Sequence, residues 1–183
     1  MQVLVMIFKK LFLLSCLTFS LFASGVYNSN LLDFQAKVFP KIIISDNDLK
    51  IKLLENKVVL TILYEDIDFN TAQNLKENIE KNYKTLKEYF LEVNLLRYDD
   101  FKSSNISTAY FFLLGKKDDI SRISSNLIQN NRLSFTYDDK YLNFGVIFGL
   151  KISQKVDIYL NLQNLKDSEI ELQNSIFNVA IIK

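Results

Sequence analysis

Two long apolar runs limit the folds available to this chain more than any other feature of its sequence. The first covers residues 58–64, in which Thr61 is the one aliphatic polar side chain. The second covers residues 108–114, whose last five positions are all aromatic or leucine. Runs without polar alternation are typical of strands that are buried on both faces, as in parallel sheets covered by helices. We therefore expect both segments to be central strands.

Segments with helical spacing alternate with these strands. Apolar residues recur three and four positions apart in residues 72–86, which predicts a helix with Asn70 as its N-cap. Residues 31–44 have the same spacing, and Pro40 is expected to kink or end that helix. A third, shorter helix is predicted to begin at an Asp118 cap.

The second half of the chain contains a predicted hairpin with a specific register. Apolar residues alternate through residues 144–152 and again through residues 156–162. The two apolar sets face the same side of a sheet only if the connecting loop has an odd number of residues. We therefore predict a loop at residues 153–155, with Ile152 opposite Val156.

The remaining segments complete the predicted architecture. Alternation predicts a strand near a sheet edge at residues 89–96 and another strand at residues 133–137. A C-terminal helix is predicted from the helical spacing of Leu172, Ile176, Phe177 and Ala180. The order of elements predicts a single three-layer α/β domain, with a mixed, mostly parallel sheet flanked by helices and ending in a β-hairpin and helix.

The N-terminus has the pattern of a secretory signal peptide. Two lysines precede an apolar run at residues 11–23, and small residues follow it. The run is shorter than the roughly 18 apolar residues that a membrane span requires. We expect residues 1–25 to be cleaved, here or two residues earlier, so that residues 26–183 form a periplasmic domain. An uncleaved anchor and a lipoprotein attached at Cys16 are the alternatives.

The residue inventory excludes several classes of chemistry. The chain has no histidine and one cysteine, which excludes histidine-based triads and His or Cys zinc sites. With 22 basic and 21 acidic residues, the net charge of +1 gives no global electrostatic reason to bind nucleic acid. We therefore predict no catalytic residue, no metal site and no cofactor.

Acidic residues are the remaining candidates for chemistry. Three pairs of adjacent aspartates stand out, and none has the spacing of a calcium loop. All three lie at predicted loops or helix starts, where Asp is favoured as a cap. Glu65 and Asp66 follow the first buried strand, as in a receiver domain, but the other buried strand ends in Gly115-Lys116-Lys117, with no aspartate at its tip. Phosphotransfer is therefore excluded, and an envelope enzyme rests only on the pairs Asp99-Asp100, Asp118-Asp119 and Asp138-Asp139.

Three segments near the C-terminus carry a resemblance to a known family. They are the tetrapeptide Phe144-Gly145-Val146-Ile147, the strand end at Asn161, and a last segment with Leu172, Ile176, Phe177 and Ala180. Together they resemble the glycine-containing strand, the strand end and the C-terminal helix of the YfiR-like family of periplasmic proteins. The resemblance implies a mainly structural role for these nine residues.

The resemblance implies a regulator that is not an enzyme. Such a protein would be able to dimerise, and would bind and repress the periplasmic sensor part of an inner-membrane signalling protein, a diguanylate cyclase or a sensor kinase. It would thereby lower cyclic di-GMP. The alternative is a periplasmic small-ligand-binding module, because open α/β sheets often bind ligands at the carboxyl ends of their strands. A large apolar pocket would favour the ligand-binding module, whereas an exposed apolar patch would favour a regulator that binds a protein partner.

Overall fold

The computed structural model describes residues 26–183, which form an eight-stranded sheet with helices on both faces. The predicted signal peptide lies outside the described residues. The strands are β1 (Lys57–Tyr64), β2 (Thr85–Leu86), β3 (Tyr89–Arg97), β4 (Ala109–Phe112), β5 (Leu133–Thr136), β6 (Phe148–Ile152), β7 (Val156–Leu160) and β8 (Ala180–Ile182). The α-helices are α1 (Ser29–Ile43), α2 (Phe69–Asn82), α3 (Lys117–Gln129) and α4 (Leu162–Asp167).

The strand order is β2-β3-β1-β4-β5-β6-β7-β8. Neighbouring strands are parallel except in the pairs β2–β3 and β6–β7. The chain leaves β1 through α2 to reach β3 on one side, and then crosses to β4 on the other side of β1. The winding therefore reverses between β1 and β4, as in doubly wound α/β proteins. The predicted fold class, a mixed and mostly parallel sheet flanked by helices, is confirmed.

The core has two apolar clusters, one on each face of the sheet. Successive side chains of a strand point to opposite faces, so Phe111 of β4 belongs to one cluster and Phe112 to the other. The first cluster includes the buried faces of α1 and α2, and Phe39 of α1 stacks on Phe135 with ring centroids 4.7 Å apart. The second cluster includes Ile120 and its neighbours on the buried face of α3. Both predicted central strands are thus covered on both faces.

The hairpin has the predicted register. Ile152 of β6 lies opposite Val156 of β7, and residues 153–155 form the loop. Within that loop the amide of Ser153 donates to the carbonyl of Lys155 over 3.0 Å. Strand β3 lies next to the sheet edge, with only the two-residue β2 beyond it, which agrees with its predicted position.

The boundaries of three helices differ from prediction. Helix α3 begins at Lys117, so the predicted cap Asp118 lies inside its first turn. Helix α2 ends at Asn82, and Leu86, which was expected on the same helix, lies in β2.

The path of α1 and the start of α2 differ as well. Helix α1 continues through Pro40 to Ile43, because Phe39 and Ile43 on either side of the proline are fully buried in the core. Their burial outweighs the backbone hydrogen bond that proline removes. Helix α2 begins at Phe69 and lacks the predicted Asn70 cap. Asp68 precedes it, but the Asp68 carboxylate accepts a hydrogen bond from the hydroxyl of Tyr27 and none from the first amides of the helix.

The predicted C-terminal helix is wrong. Leu172 forms an isolated bridge with Asp46, Ile176 lies in a short helical turn (Asn174–Ile176), and Ala180 begins β8. Strand β8 pairs with the otherwise free edge of β7, and the amide of Lys183 donates to Leu160. These hydrogen bonds, together with the β-branched residues of this segment, favour a strand over a helix.

The tetrapeptide at residues 144–147 is not part of a strand, contrary to prediction. Phe144 ends a helical turn (Asp139–Phe144), and Gly145 follows with a φ of 102°, a left-handed conformation that glycine adopts without strain. Strand β6 therefore begins only at Phe148, although Val146 and Ile147 are both fully buried.

Candidate functional site

A cavity of about 860 Å³ lies at the carboxyl ends of β1 and β4. Its walls come from the loop after β1, the segment after β4, the start of α1 and the inward face of α2. The winding of the sheet reverses between these two strands, so the helices diverge there and leave a crevice. The cavity therefore occupies the position at which doubly wound folds bind their ligands.

The wall of the cavity is mostly apolar. Leu75 of α2, Leu114 after β4 and Leu32 of α1 all contribute apolar side chains to it. Ile67 is also part of the lining, although 92% of its side chain is exposed. Polar atoms interrupt this surface at a few places, chiefly Asp33, Glu65, Asp68, Thr71, Asn74 and Lys116.

Tyr27 connects two walls of the cavity. Its hydroxyl donates to Oδ2 of Asp68 over 2.7 Å and accepts a hydrogen bond from the amide of Leu114 over 2.9 Å. Burial raises the pKa of Tyr27, and the hydrogen bond to the Asp68 carboxylate raises this pKa further. The hydroxyl therefore stays protonated and links the loop after β1 to the segment after β4.

Two more tyrosines hold the segment after β4. The hydroxyl of Tyr98 donates to the carbonyl of Leu113 over 2.7 Å. The hydroxyl of Tyr141 donates to the carbonyl of Gly115 over 2.9 Å and accepts from the amide of the same glycine over 3.0 Å. Burial raises the pKa of both hydroxyls. These hydrogen bonds tie the backbone at residues 113–115 to Tyr98 and Tyr141.

The carboxylates of the cavity differ in the hydrogen bonds that they accept from the protein. Asp33 accepts a hydrogen bond of 2.6 Å from the side-chain amide of Asn78, and Asp68 accepts from Tyr27. Oε1 of Glu65 is buried and has no hydrogen-bond partner among residues 26–183. Lys116 is the one basic residue in the described lining. The arrangement can accept hydrogen bonds and positive charge from a bound molecule.

The described residues show no arrangement suited to a metal ion. Within residues 26–183, no group of three or more His, Cys, Asp or Glu side chains is placed to hold one. The three acidic pairs serve other contacts. Asp100 pairs with Arg97 and Asp119 with Arg122, while the Asp138 side chain accepts from the amide of Lys140.

The residues that carry the family resemblance lie away from the cavity. Gly145 packs closely on Ser124, whose Oγ would be 2.5 Å from a Cβ built on the glycine. Asn161 caps α4 by accepting from the amide of Asn164 over 2.9 Å, and its side chain donates to the carbonyl of Leu142 over 3.0 Å. The cavity lining in the described structure includes none of Phe144, Gly145, Val146, Ile147, Asn161, Leu172, Ile176, Phe177 and Ala180.

Sequence reasoning considered Glu65 only as part of a receiver-like pattern and did not consider Tyr27 or Asp68. A signal for Glu65 and Lys116 was present. Both follow buried strands that were expected to be parallel, and the carboxyl ends of parallel strands meet at one edge of a sheet. No local pattern indicates Tyr27, because its contact with Asp68 joins segments 41 residues apart.

No helix within residues 26–183 combines the length and apolar character that crossing a bilayer requires. No protein-family model matches the chain, and no curated protein is similar to it. These two comparisons therefore assign it to no family.

Two solved structures are similar in fold. One is a conserved domain protein from Vibrio cholerae, with a TM-score of 0.55, 12% identity, and 82% of this chain and 59% of that chain covered. The other is the ABC domain in complex with L-Trp from Streptococcus pneumonia, with a TM-score of 0.50, 10% identity, and 78% and 62% covered. This chain spans less than two thirds of either structure, and the likeness concerns the fold alone.

Proposed function

We propose that this chain is a small-ligand-binding module whose ligand occupies the cavity at the carboxyl ends of β1 and β4. The observation that carries the proposal is the position of this cavity at the point where the winding of the sheet reverses. Its volume of about 860 Å³ falls within the range of small-molecule sites. Apolar walls with a few polar groups are also typical of such sites.

The rigidity of the cavity supports the same function. Tyr27, Tyr98 and Tyr141 hold the backbone after β4 through hydrogen bonds within the protein itself. A site that is already ordered loses less conformational entropy when a molecule binds. The neighbour from Streptococcus pneumonia is in complex with L-Trp, a small molecule of a size that this cavity can hold.

The experiment is a screen of small metabolites by thermal shift, repeated on two tryptophan variants of α2. Thr71 lines the cavity, so Thr71→Trp places an indole inside it. Glu77 is exposed on the same helix and does not line the cavity, which makes Glu77→Trp the matched control. We expect ligands that raise the melting temperature of the wild type and of Glu77→Trp, but not of Thr71→Trp. Stabilisation that persists in Thr71→Trp would contradict the proposal.

A second candidate function is regulation of an inner-membrane signalling protein from the periplasm, as the YfiR-like resemblance implies. The observation that favours it is an exposed apolar patch at the C-terminal edge of the sheet, composed of Phe177, Val179, Ile181 and Ile182. Strand β8 is the last strand on that side, so its outer backbone groups are open to pairing. An exposed apolar patch on a strand edge suits a protein partner or a second copy of the chain.

Crosslinking in intact cells tests this second function. A photoreactive residue at Val179 samples the apolar patch, and the same residue at Glu77 samples an exposed site on α2 as the control. We expect Val179 to capture a membrane-bound cyclase or sensor kinase that Glu77 does not capture. Deletion of the gene is expected to raise cyclic di-GMP. Equal capture at both positions, or capture of no membrane signalling protein, would contradict the regulator.

A further inference from the structure

We infer that the ligand of this cavity is a small organic cation, an ammonium group on an apolar body, and that Glu65 receives the charged group. The inference rests on the proposed ligand-binding function and names the chemical class of the ligand. It follows from the charges of the lining, from the hydrogen bonds that each carboxylate already makes, and from the apolar surface that faces them.

The first observation is the charge of the lining. Asp33, Glu65 and Asp68 supply three carboxylates, and Lys116 supplies one ammonium group. None of the ion pairs formed among the described residues includes Glu65, Asp68 or Lys116. In a cleft with low-dielectric walls, an excess of one charge sign raises the local concentration of the opposite ion. The cavity therefore favours a cation over an anion.

The second observation is specific to Glu65. Asp33 and Asp68 each accept a hydrogen bond from a neighbouring side chain. Oε1 of Glu65 is buried, and no donor within the described part of the chain reaches it. Buried polar atoms are nearly always hydrogen-bonded, because an unsatisfied one loses its bonds to water without replacement. Oε1 has no accessible surface, so a molecule in the cavity does not contact it directly. A bound ammonium group pairs instead with the carboxylate as a whole, whose charge both oxygens share and which forms no ion pair with the described residues.

The third observation distinguishes an organic cation from a metal ion. Metal ions require several oxygen ligands that converge on one point, and no such group occurs in residues 26–183. The side chains of Leu32, Leu75 and Leu114 instead provide an apolar wall in the same cavity. An amine with an aliphatic or aromatic body meets both surfaces, since its body covers the leucines while its charged end contacts Glu65.

The experiment compares three probes of similar size and different charge: phenethylamine, phenethyl alcohol and hydrocinnamate. Binding to the purified protein is followed by NMR titration of the backbone amides. We expect phenethylamine to shift amides that line the cavity and to bind about tenfold more tightly than phenethyl alcohol, the difference expected for one charge-assisted hydrogen bond. Added salt should lower the affinity of the protein for the amine and leave its affinity for the alcohol unchanged.

Two variants with the same chemical change assign the effect to Glu65. Glu65→Gln keeps the shape of the side chain and removes its charge. The amine should then bind no more tightly than the alcohol, and the affinity for the alcohol should stay the same. Glu77→Gln makes the same change at an exposed site outside the cavity and should change neither affinity. The NMR spectrum of each variant verifies that it is folded.

The outcomes separate this inference from the function on which it rests. Equal binding of all three probes in the cavity, or tighter binding of hydrocinnamate, would contradict the inference that the ligand is a cation. Either result would leave the proposed ligand-binding function intact. Competition by calcium at the same amides would assign the site to a metal ion and overturn the inference as well. If no probe shifts any amide of the cavity, the inference is overturned, and the metabolite screen with Thr71→Trp decides the proposed function separately.

Discussion

The ring of Tyr98 lies so close to Gly115 that no side chain fits between them. A Cβ built on Gly115 would be 2.6 Å from Cε2 of Tyr98, well inside van der Waals contact. The same tyrosine is 1% exposed and donates a hydrogen bond from its hydroxyl to the carbonyl of Leu113. The path of the chain after β4, and with it one wall of the cavity, thus depends on a glycine at position 115.

We predict that Gly115→Ala destabilises the protein by roughly 1–3 kcal/mol, the usual cost of placing a methyl group in a packed site. The free energy of unfolding from urea titration measures the effect. The variant should also bind cavity ligands more weakly, because the backbone that supports Leu114 must move. In the background of Tyr98→Leu, which removes the ring, the same alanine should cost much less, and equal costs in both backgrounds would contradict the steric explanation.

A second prediction concerns the central strand. Phe111 of β4 is fully buried and contacts Phe39 of α1 edge-to-face, with ring centroids 5.1 Å apart. Phe111→Ala should therefore lower the free energy of unfolding by roughly 3–5 kcal/mol, the range for removing a buried aromatic ring. Phe90 is 66% exposed on β3, so Phe90→Ala serves as the control and should cost less than about 1 kcal/mol. A loss below that value for Phe111→Ala would place the side chain outside the core.

The sequence predicted the elements whose solvent exposure follows a regular period. Strands β1 and β4 are buried on both faces and are uniformly apolar, and the hairpin register follows from alternation that must bring Ile152 opposite Val156. The C-terminal segment was misassigned because Leu172 and Ile176 are both buried from an irregular backbone. Their four-residue spacing imitates one helical turn, although each side chain reaches the core separately.

The candidate site was less accessible to sequence reasoning. Glu65 and Lys116 lie where two parallel strands end, a position that topology predicts once the strands are known. The hydrogen bond between Tyr27 and Asp68 and the contact between Tyr98 and Gly115 join residues that are distant in the chain. Such contacts leave no periodic trace in the sequence, so a single chain could not indicate them.

A third prediction concerns the buried ion pair of Lys52 and Asp46. The lysine Nζ lies 2.7 Å from Oδ2 of the aspartate, and the two side chains are 7% and 2% exposed. Asp46→Ala leaves the ammonium group buried without a partner and should cost roughly 3–5 kcal/mol in the free energy of unfolding. The double variant Asp46→Ala, Lys52→Met should recover part of that loss, because no uncompensated charge remains.

The control for this prediction is an exposed ion pair. Lys57 and Glu92 lie 3.0 Å apart, and both side chains are at least 40% exposed. Glu92→Ala should therefore change the free energy of unfolding by less than about 1 kcal/mol. If the two single alanine variants cost the same, burial does not determine the contribution of the Asp46 pair.

The last prediction is a loss of stability at alkaline pH that originates in buried tyrosines. Burial raises the pKa of Tyr98 well above its ordinary value of about 10, so the folded protein keeps this hydroxyl protonated where the unfolded chain ionises it. The unfolded state then binds fewer protons than the native state, and the free energy of unfolding falls as pH rises. Stability should be unaffected by Tyr98 below about pH 10 and should decrease above it by about 1.4 kcal/mol per pH unit for this one group.

Urea titrations across this range, with tyrosinate absorbance to follow ionisation, measure the slope. Tyr98→Phe removes the ionisable group and should reduce the slope even though it also removes the hydrogen bond to Leu113. An unchanged slope in that variant would mean that other groups, such as Tyr110 with its raised pKa, cause the alkaline unfolding.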